Sequence, residues 1–146
     1  MNKRPESVLV VIHCARSVLM VRRTGPDGFW QSVTGSLEAG ELPRQTALRE
    51  VAEETGIRLE EAQLRDLGLR NRFVIPERWR SRFQGHATHN EEHVFSASLN
   101  DTPSPILRSD EHDEGRWMPA HEALRCAWSW TNRDAIRLAL LTAQSG

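Results

Sequence analysis

The spacing of apolar and polar residues divides the first part of the chain into short strands joined by turns. Ser7–Ile12 (SVLVVI) is an almost continuous β-branched run, which is typical of a strand buried on both faces. Val18–Val21 is predicted to be its hairpin partner across the short connection at Cys14–Ser17. Thr24–Gly28 is a cluster of turn residues, and Phe29–Val33 after it is short and extended. We therefore expect this part of the chain to contribute several strands.

One helix is clearly marked in the pattern, over Pro43–Thr55. Pro43 suits the first helical turn, where its missing N–H is not needed, and Gly56 stands where a left-handed C-terminal cap is expected. The loop Gly35–Glu41 precedes the helix and is punctuated by glycines. An apolar stripe for core packing is formed by Ala47, Leu48, Val51 and Ala52. The predicted local geometry is loop–helix–loop, with one side of the helix anchored and another charged.

The pattern after this helix is less regular. Leu64–Pro76 is predicted to be one bent strand or two short ones, and His93–Leu99 alternates as a half-buried strand does. Glu77–Glu92 between them is polar, Arg-rich and without periodicity, so it is predicted to be a functional or mobile loop. Asn100–Pro105 is a turn region, and Arg116–Met118 is the last short strand.

Helical segments are predicted at the C-terminal end of the chain. Glu122–Cys126 forms a helical turn, and Trp128–Asp134 opens a final helix that ends near Thr142. Thr131 and Asp134 are spaced like a capping box, with Asp in place of Glu. Strands on both sides of one central helix, with a second helix closing the chain, indicate an α/β (α+β) fold with a mixed sheet and helices on its faces.

Length and charge narrow the function classes. A chain of 146 residues fits one domain, residues 1–146, and a formal net charge of −1 gives no general attraction to nucleic acid or to an anionic membrane. Cys14 and Cys126 form no CxxC pair, and no apolar leader precedes them. We expect a cytoplasmic protein with free thiols, a monomer or weak homodimer, that acts on a small molecule and has no nucleic-acid or membrane partner.

The central helix carries a group of carboxylates. Glu50, Glu53 and Glu54 are three and four residues apart, so all are predicted to project towards one side. Two carboxylates about 4 Å apart repel each other by roughly 1 kcal/mol even in water. The structural interpretation is a solvated acidic face. The functional interpretation is a metal site, because oxygen ligands of this kind suit Mg²⁺ or Mn²⁺.

The stretch from Gly35 to Ile57 resembles the signature of the Nudix hydrolases, G-x5-E-x7-R-E-U-x-E-E-x-G-U, where U is an aliphatic residue. Every defined position is met, by Gly35, Glu41, Arg49, Glu50, Val51, Glu53, Glu54, Gly56 and Ile57. So many positions at fixed spacing are far more specific than a short glycine motif. The resemblance implies an α/β/α sandwich with a loop–helix–loop metal site, which uses a divalent cation to hydrolyse a diphosphate bond.

The same resemblance implies roles for individual residues of this stretch. Glu50 and Glu54 are the expected metal ligands from the helix, and Glu53 is a ligand, directly or through water, or the general base. Arg49 is counted with Glu50 and Glu53 among the catalytic residues. Together with Glu41, it is expected to hold the loop against the helix.

Another carboxylate from outside the signature is expected to complete the metal site. We predict Glu111, because Ser109–His112 lies in a loop shortly before the Arg116–Met118 strand. One alternative is that Glu111 is an exposed loop acid with no metal role. The other is that the ligand is one of the acids Glu91, Glu92 and Asp110.

Most of the chain is similar to one subgroup of the family, the dihydroneopterin triphosphate pyrophosphatases of bacterial folate biosynthesis, which also act on dATP. Phe29–Ser36 carries this resemblance, as do Lys3–Pro5, Arg22–Arg23 and Trp128–Arg133. By this resemblance the substrate contacts are Lys3, Arg22, Thr34, Phe73, Val74, Ile75, Pro76 and Ser129. Lys and Arg suit phosphates, and aromatic rings suit a planar pterin or purine. The structural alternatives are a solvated arginine pair, tryptophans used in packing, and a helix cap at Ser129 or Thr131.

Three functions follow from these residues. The first is Mg²⁺-dependent release of pyrophosphate from dihydroneopterin triphosphate, and from dATP or related nucleotides, leaving the monophosphate. The second is another Nudix activity, such as nucleotide sanitising or cleavage of a dinucleotide or sugar nucleotide. The third is a binding or regulatory module with the same fold, against which the intact Glu50, Glu53 and Glu54 argue.

Overall fold

The computed structural model of the protein describes residues 2–25, 28–108 and 110–144. The centre of the turn predicted at Thr24–Gly28 and the first residue of the loop predicted at Ser109–His112 lie outside these ranges. The strands are β1 (Glu6–Cys14), β2 (Ser17–Arg23), β3 (Trp30–Gln31), β4 (Val33–Ser36), β5 (Leu64–Val74), β6 (His89–Ser98) and β7 (His112–Pro119). The helices are α1 (Pro43–Thr55), α2 (Ala120–Cys126) and α3 (Trp130–Gln144), and short 3₁₀ segments lie at Glu61–Gln63, Glu77–Arg82 and Gln84–His86.

Strand β1 is the centre of a mixed sheet. Along one edge it pairs antiparallel with β4, where Leu9 lies opposite Thr34, and with β2, where His13 lies opposite Val18. Along the other edge it runs parallel to β6, which pairs in turn with β5. Strands β3 and β7 both pair with β2. The hairpin and the mixed sheet predicted from the sequence are confirmed.

Both faces of β1 are buried, as its unbroken apolar pattern predicts. The side chains on the α1 face are Val8, Val10 and Ile12, and those on the opposite face are Leu9 and Val11. Helix α1 covers the first face through Ala47 and Val51, and α3 covers the second through Ile136 and Ala139. A sheet between two helical layers is the α/β/α sandwich that the resemblance implies.

Helix α1 has the bounds predicted from the sequence. It begins at Pro43, and Gly56 ends it with φ of 74°, in the left-handed region that favours glycine. The alternative of one bent strand is confirmed for β5, where the register with β6 shifts between Asp66 and Arg70 and Gly68 has φ of 71°.

Several strands are longer than predicted. Strand β6 begins at His89 rather than at His93, because the backbone of residues 89–92 pairs with β5 although the side chains there are polar. Strand β7 begins at His112, inside the predicted loop, and β4 continues to Ser36. Backbone pairing leaves no apolar pattern in these polar segments, which is why the sequence does not reveal it.

The prediction of a capping pair at Thr131 and Asp134 is wrong, because α3 begins earlier. Its first residue is Trp130, and Ser129 Oγ accepts a hydrogen bond from the backbone N–H of Asn132 at 3.2 Å. Ser129 is therefore the residue that caps α3.

Across the described ranges, neither α1 nor α3 has the length and apolar character that spanning a bilayer requires.

Candidate active site

Arg49 ties the loop before α1 to the helix. Its Nε and Nη2 donate to the two carboxylate oxygens of Glu41, at 2.7 and 2.9 Å, and Nη2 also reaches the carbonyl of Ser36 at 3.2 Å. Glu41 Oε1 further accepts hydrogen bonds from the backbone N–H of Glu38 and from Thr46 Oγ1. The hydrogen bonds from Arg49 are the main reason that the pKa of Glu41 falls to about 2. The contact expected between Arg49 and Glu41 is present.

Glu50 lies between this arginine and the loop. Arg49 Nη1 donates to Glu50 Oε1 at 2.6 Å, and the other side of the carboxyl group faces Gly35 of β4. A Cβ built on Gly35 would overlap the Glu50 side chain. The glycine of the signature is thus needed for close approach, because only a residue without a side chain leaves room for the carboxylate.

Glu54 is the most deeply buried carboxylate of the site. Its side chain is 2% exposed, and neither carboxylate oxygen has a hydrogen-bond partner among the described residues. Burial raises the pKa of Glu54 well above its usual value, and the neighbouring carboxyl of Glu50 and the charge of Glu111 raise it further. A buried polar group without a partner is costly, so this carboxyl group is positioned for something that the protein chain does not itself supply.

Glu53 lies on the solvent side of the same helix. Its side chain is 40% exposed, against 14% for Glu50. Its Oε2 lies 3.2 Å from Arg49 Nη1 and 3.6 Å from Arg108 Nη1. The three acids therefore differ in burial, from Glu54 in the interior to Glu53 near solvent. Glu50 and Glu53 both contact Arg49 Nη1, which agrees with the prediction that they project towards one side.

A buried histidine beside Glu54, and a buried glutamine next to that histidine, were not predicted from the sequence. His112 Nε2 lies 3.7 Å from Glu54 Oε1 and 3.5 Å from Gln31 Nε2. Burial and the charge of Arg23 lower the pKa of His112 to about 4, so its ring is neutral at pH 7. The only sequence signal for His112 is its position next to Glu111, and Gln31 has none.

The structure brings Glu111 towards Glu54 and separates Glu92 from it. The backbone N–H of Thr24 donates to the Glu111 carbonyl at 2.9 Å, which fixes Glu111 at the end of β2, and its charge acts on Glu54. Glu92 is paired in register with Ser7, whose side chain lies on the sheet face away from α1. The alternative that Glu92 is the further metal ligand beside α1 is therefore wrong.

Among the remaining alternatives, Asp110 Oδ1 lies 3.9 Å from Arg108 Nε, and Glu91 Oε1 lies 3.6 Å from Arg70 Nη1. Both acids already have arginine partners, whereas the charge of Glu111 acts on Glu54. Glu111 stays our prediction for the third carboxylate.

The residues at this site fit a divalent cation. Among the residues that the structure describes, the two buried oxygens of Glu54 have no hydrogen-bond partner, and the carboxyl groups of Glu50 and Glu111 both act on its charge. Within the described ranges, no three His, Cys, Asp or Glu side chains are already arranged as a ligand shell. Arg49 Nη1 binds Glu50 Oε1, so one oxygen of this carboxylate already has a partner in the protein.

The basic residues expected to contact substrate have different surroundings. Lys3 is exposed, and its backbone is joined to the Arg-rich segment by the hydrogen bonds Lys3 N to Arg82 O and Gln84 N to Lys3 O, both 2.8 Å. Arg22 Nε donates to Asp113 Oδ1 at 2.8 Å, and its guanidinium lies 5.9 Å from the Trp30 ring. Arg22 thus has a carboxylate partner already.

Ser129 and Thr34 lie at the end of the sheet near the start of α3. Ser129 caps α3 and lies 3.2 Å from Thr131 Oγ1, and Thr34 Oγ1 accepts a hydrogen bond from Gln31 Nε2 at 3.4 Å. The Trp128 ring packs on Phe29 with centroids 4.6 Å apart, and Trp128 and Trp130 are both more than half exposed. The cap alternative for Ser129 is present in the structure, and a substrate contact remains a prediction.

The expected contacts at residues 73–76 are placed at the end of β5. Phe73 pairs with Asn90 and is partly exposed, Val74 is exposed, and Pro76 is exposed beyond the strand. Ile75 is only 2% exposed, and its backbone N–H donates to Thr88 at 2.8 Å. The structure therefore offers Phe73, Val74 and Pro76 for contact, while the Ile75 side chain serves packing.

Comparisons with known proteins agree with the geometry of the site. Residues 3–139 match the family model described as the NUDIX domain. The chain is 38% identical over 145 residues to dihydroneopterin triphosphate diphosphatase of Escherichia coli, covering 97% of this chain and 95% of that protein. It is 35% identical over 139 residues to the Haemophilus influenzae protein of the same name, covering 92% and 87%.

Comparison with a solved structure agrees with these sequence comparisons. The structure of the E. coli dihydroneopterin triphosphate pyrophosphohydrolase superposes with a TM-score of 0.85 at 38% identity, covering 97% of this chain and 99% of that one.

Proposed function

Because this chain belongs to the Nudix family of hydrolases, we propose that it cleaves dihydroneopterin triphosphate with water to the monophosphate and pyrophosphate, and that it also accepts dATP and related nucleoside triphosphates. The observation that carries the proposal is the buried Glu54 carboxylate, which has no hydrogen-bond partner within the described ranges and is influenced by the carboxyl groups of Glu50 and Glu111. The chain also resembles enzymes named for this substrate along nearly its whole length.

The proposed metal is Mg²⁺, with Mn²⁺ as a substitute, held by Glu50, Glu54 and Glu111. A bound divalent cation neutralises charge on the polyphosphate and lowers the pKa of water. Nudix hydrolases generally need such a cation, and an oxygen-only ligand set suits these two ions.

The side chains around the metal ligands would prepare the site for water attack on phosphorus. Arg49 fixes the Glu50 carboxylate from one side and Gly35 leaves the space for it on the other. Glu53 is exposed beside the cluster and is our candidate for the base that takes the proton from the attacking water. The P–O bond to the outgoing diphosphate then breaks, and pyrophosphate leaves.

The substrate would lie across the sheet end from the metal ligands to the start of α3. Lys3 and Arg22 would bind phosphate oxygens, with Arg22 exchanging Asp113 for the substrate. Thr34 and Ser129 would contact the substrate near the ring, and Phe73, Val74 and Pro76 would border the ring. Ile75 would support these residues from the core.

A panel of substrates tests the proposal. We expect kcat/KM to be highest for dihydroneopterin triphosphate, lower for dATP, and lowest for 8-oxo-dGTP and ADP-ribose. Pyrophosphate should be released only with Mg²⁺ or Mn²⁺ present. Turnover should fall by several orders of magnitude in Glu54→Gln, whereas Glu61→Gln, a surface acid far from the cluster, should match the wild type.

Preference for ADP-ribose or 8-oxo-dGTP would instead indicate another Nudix activity. Tight binding of one panel member without turnover of any would indicate a ligand-binding regulator. Either result overturns the proposal.

A further inference from the structure

A row of polar side chains crosses the sheet on the face opposite α1. Ser36 of β4, Ser7 of β1, Glu92 of β6 and Asn71 of β5 are paired in register one after another. Because paired residues project to the same face, these four side chains lie side by side. The row borders the apolar core below α3, where Leu9 and Val94 of the same strands are packed.

Glu92 is the only acid of this row and it is well buried, at 6% exposure. Asn71 Nδ2 donates to Glu92 Oε1 at 3.2 Å. Burying a carboxylate is costly unless hydrogen bonds compensate it. No metal ligand or residue of α1 uses this group, so its burial is not explained by the carboxylate cluster.

The carboxylate retains unused acceptor capacity. An ionised carboxyl group has about four acceptor positions, and the hydrogen bond from Asn71 uses one of them. The neighbours Ser7, Ser36 and Phe73 are only partly buried, so the row reaches solvent beside Glu92. Thr34 is paired with Leu9, the next residue along β1 on the same face, so an expected substrate contact borders the row.

We propose that Glu92 determines substrate specificity by accepting hydrogen bonds from the 2-amino-4-oxo edge of a pterin ring or the equivalent 2-amino-6-oxo edge of guanine. This edge presents a ring N–H and an amino N–H side by side, which match the two oxygens of one carboxylate. Adenine offers one amino group next to an unprotonated ring nitrogen, so it cannot make the same pair. The inference rests on the proposed function, because it assumes that the ring of the substrate lies over this face.

The test is Glu92→Gln, which keeps the shape of the side chain but replaces one acceptor oxygen by a donor. We expect kcat/KM for dihydroneopterin triphosphate to fall by about 10- to 100-fold, the usual effect of a hydrogen bond to a charged group. Turnover of dATP should change by less than about threefold, which also reports an intact fold and metal site. Binding of neopterin, which has the ring but no phosphates, should weaken in parallel when no metal is added.

Glu91→Gln is the matched control, because Glu91 is the preceding residue of β6 on the opposite face and its side chain is about half exposed. It removes the same charge and should leave the ratio of pterin to adenine turnover unchanged. If Glu92→Gln does not fold, Glu92→Asp keeps the charge and withdraws the oxygens from the ring, and it should lower the same ratio.

The outcomes separate this inference from the proposed function. If Glu92→Gln lowers the turnover of both substrates equally, or of neither, Glu92 serves only the structure and the inference is wrong. If the wild type does not cleave dihydroneopterin triphosphate, the proposed function fails. The ratio of dGTP turnover to dATP turnover then tests the role of Glu92, because guanine has the equivalent edge. An unchanged dGTP to dATP ratio in Glu92→Gln would overturn the inference in that case too.

Discussion

Gly35 and Glu50 lie so close together that a side chain on the first would overlap the carboxyl group of the second. Gly35 belongs to β4 and Glu50 to α1, so this contact sets how closely the helix and the strand approach each other at the carboxylate cluster. The backbone of Gly35 is not in the left-handed region, so the requirement for glycine comes from space alone.

Gly35→Ala should therefore disturb catalysis more than stability. The added methyl group moves the Glu50 carboxylate, and a displacement of about 1 Å at a catalytic group can lower kcat about 100-fold. Steady-state kinetics with saturating Mg²⁺ provides the measurement. Gly40→Ala is the control, because Gly40 lies in the loop between β4 and α1 at φ of 79° with no atom near its absent Cβ. It should lose stability through backbone strain and keep kcat. A Gly35→Ala enzyme with kcat within threefold of wild type would contradict this explanation.

The stability of the metal-free protein should decrease as pH rises, because of Glu54. Burial raises its pKa above the usual value of 4.5, so the folded state retains the proton when the unfolded chain has lost it. The free energy of unfolding then falls with pH above about 4.5, by at most about 1.4 kcal/mol per pH unit for one proton. The glutamine side chain of Glu54→Gln does not titrate, so in EDTA this variant should be more stable than the wild type at pH 8. At pH 5 the free energies of unfolding of the two proteins should differ less.

Urea unfolding of both proteins between pH 5 and pH 8 measures this effect. The control is Glu53→Gln, which removes an exposed acid from the same helix and should follow the wild-type pH profile. Parallel profiles for wild type and Glu54→Gln would show that the burial of Glu54 does not perturb its titration.

Glu41 should have the opposite pH dependence. Arg49 lowers the pKa of Glu41 to about 2, so its contribution is present above pH 4.5 and is lost as pH falls towards 2. Glu41→Gln should reduce the free energy of unfolding at pH 7 by about 1–3 kcal/mol, the usual value of hydrogen bonds to a charged partner. The difference from wild type should shrink at pH 3.

The control for Glu41→Gln is Glu61→Gln, which breaks the exposed ion pair of Glu61 with Arg44. Exposed pairs contribute at most about 1 kcal/mol, so this variant should remain near wild type at both pH values. Equal effects of the two substitutions would mean that Arg49 and Glu41 do not stabilise the loop as their geometry indicates.

Glu111→Ala tests whether Glu111 is the third carboxylate of the proposed metal site. We expect the dissociation constant for Mn²⁺, measured by calorimetry without substrate, to increase about 10- to 100-fold, as is typical when a metal site loses a supporting group. Asp110→Ala is the matched control from the adjacent position, and its affinity for Mn²⁺ should not change. Unchanged affinity in Glu111→Ala would move the ligand to another residue.

The sequence predicts the metal-binding part of this protein better than the rest of its site. The bounds of α1 follow from local signals, since Pro43 and Gly56 mark its ends and the spacing of Glu50 and Glu54 is fixed within one helix. Glu111 could be proposed only from a family resemblance, because it lies in the segment before β7, far from α1 in the sequence. His112 and Gln31 could not be predicted, since a single His or Gln carries no pattern and their meeting under Glu54 depends on the packing of β3 and β7.

The polar row around Glu92 illustrates the same limit. Ser36, Ser7, Glu92 and Asn71 come from four strands that are far apart in sequence, and only the register of the sheet places them together. In the sequence, Glu92 belongs to a polar stretch that is indistinguishable from a surface loop. Its burial follows from the pairing of β6 with β1 on one side and β5 on the other.

The stacked pair of Phe29 and Trp128 has a practical consequence for measuring ligand binding. The chain has no tyrosine, so its ultraviolet emission comes from its five tryptophans alone. Trp128 and Trp130 are exposed on either side of Ser129, where we expect the substrate, whereas Trp117 is tied to the Pro103 carbonyl away from that residue. Intrinsic fluorescence should therefore report occupation of this end of the sheet directly, without a label and in the absence of turnover.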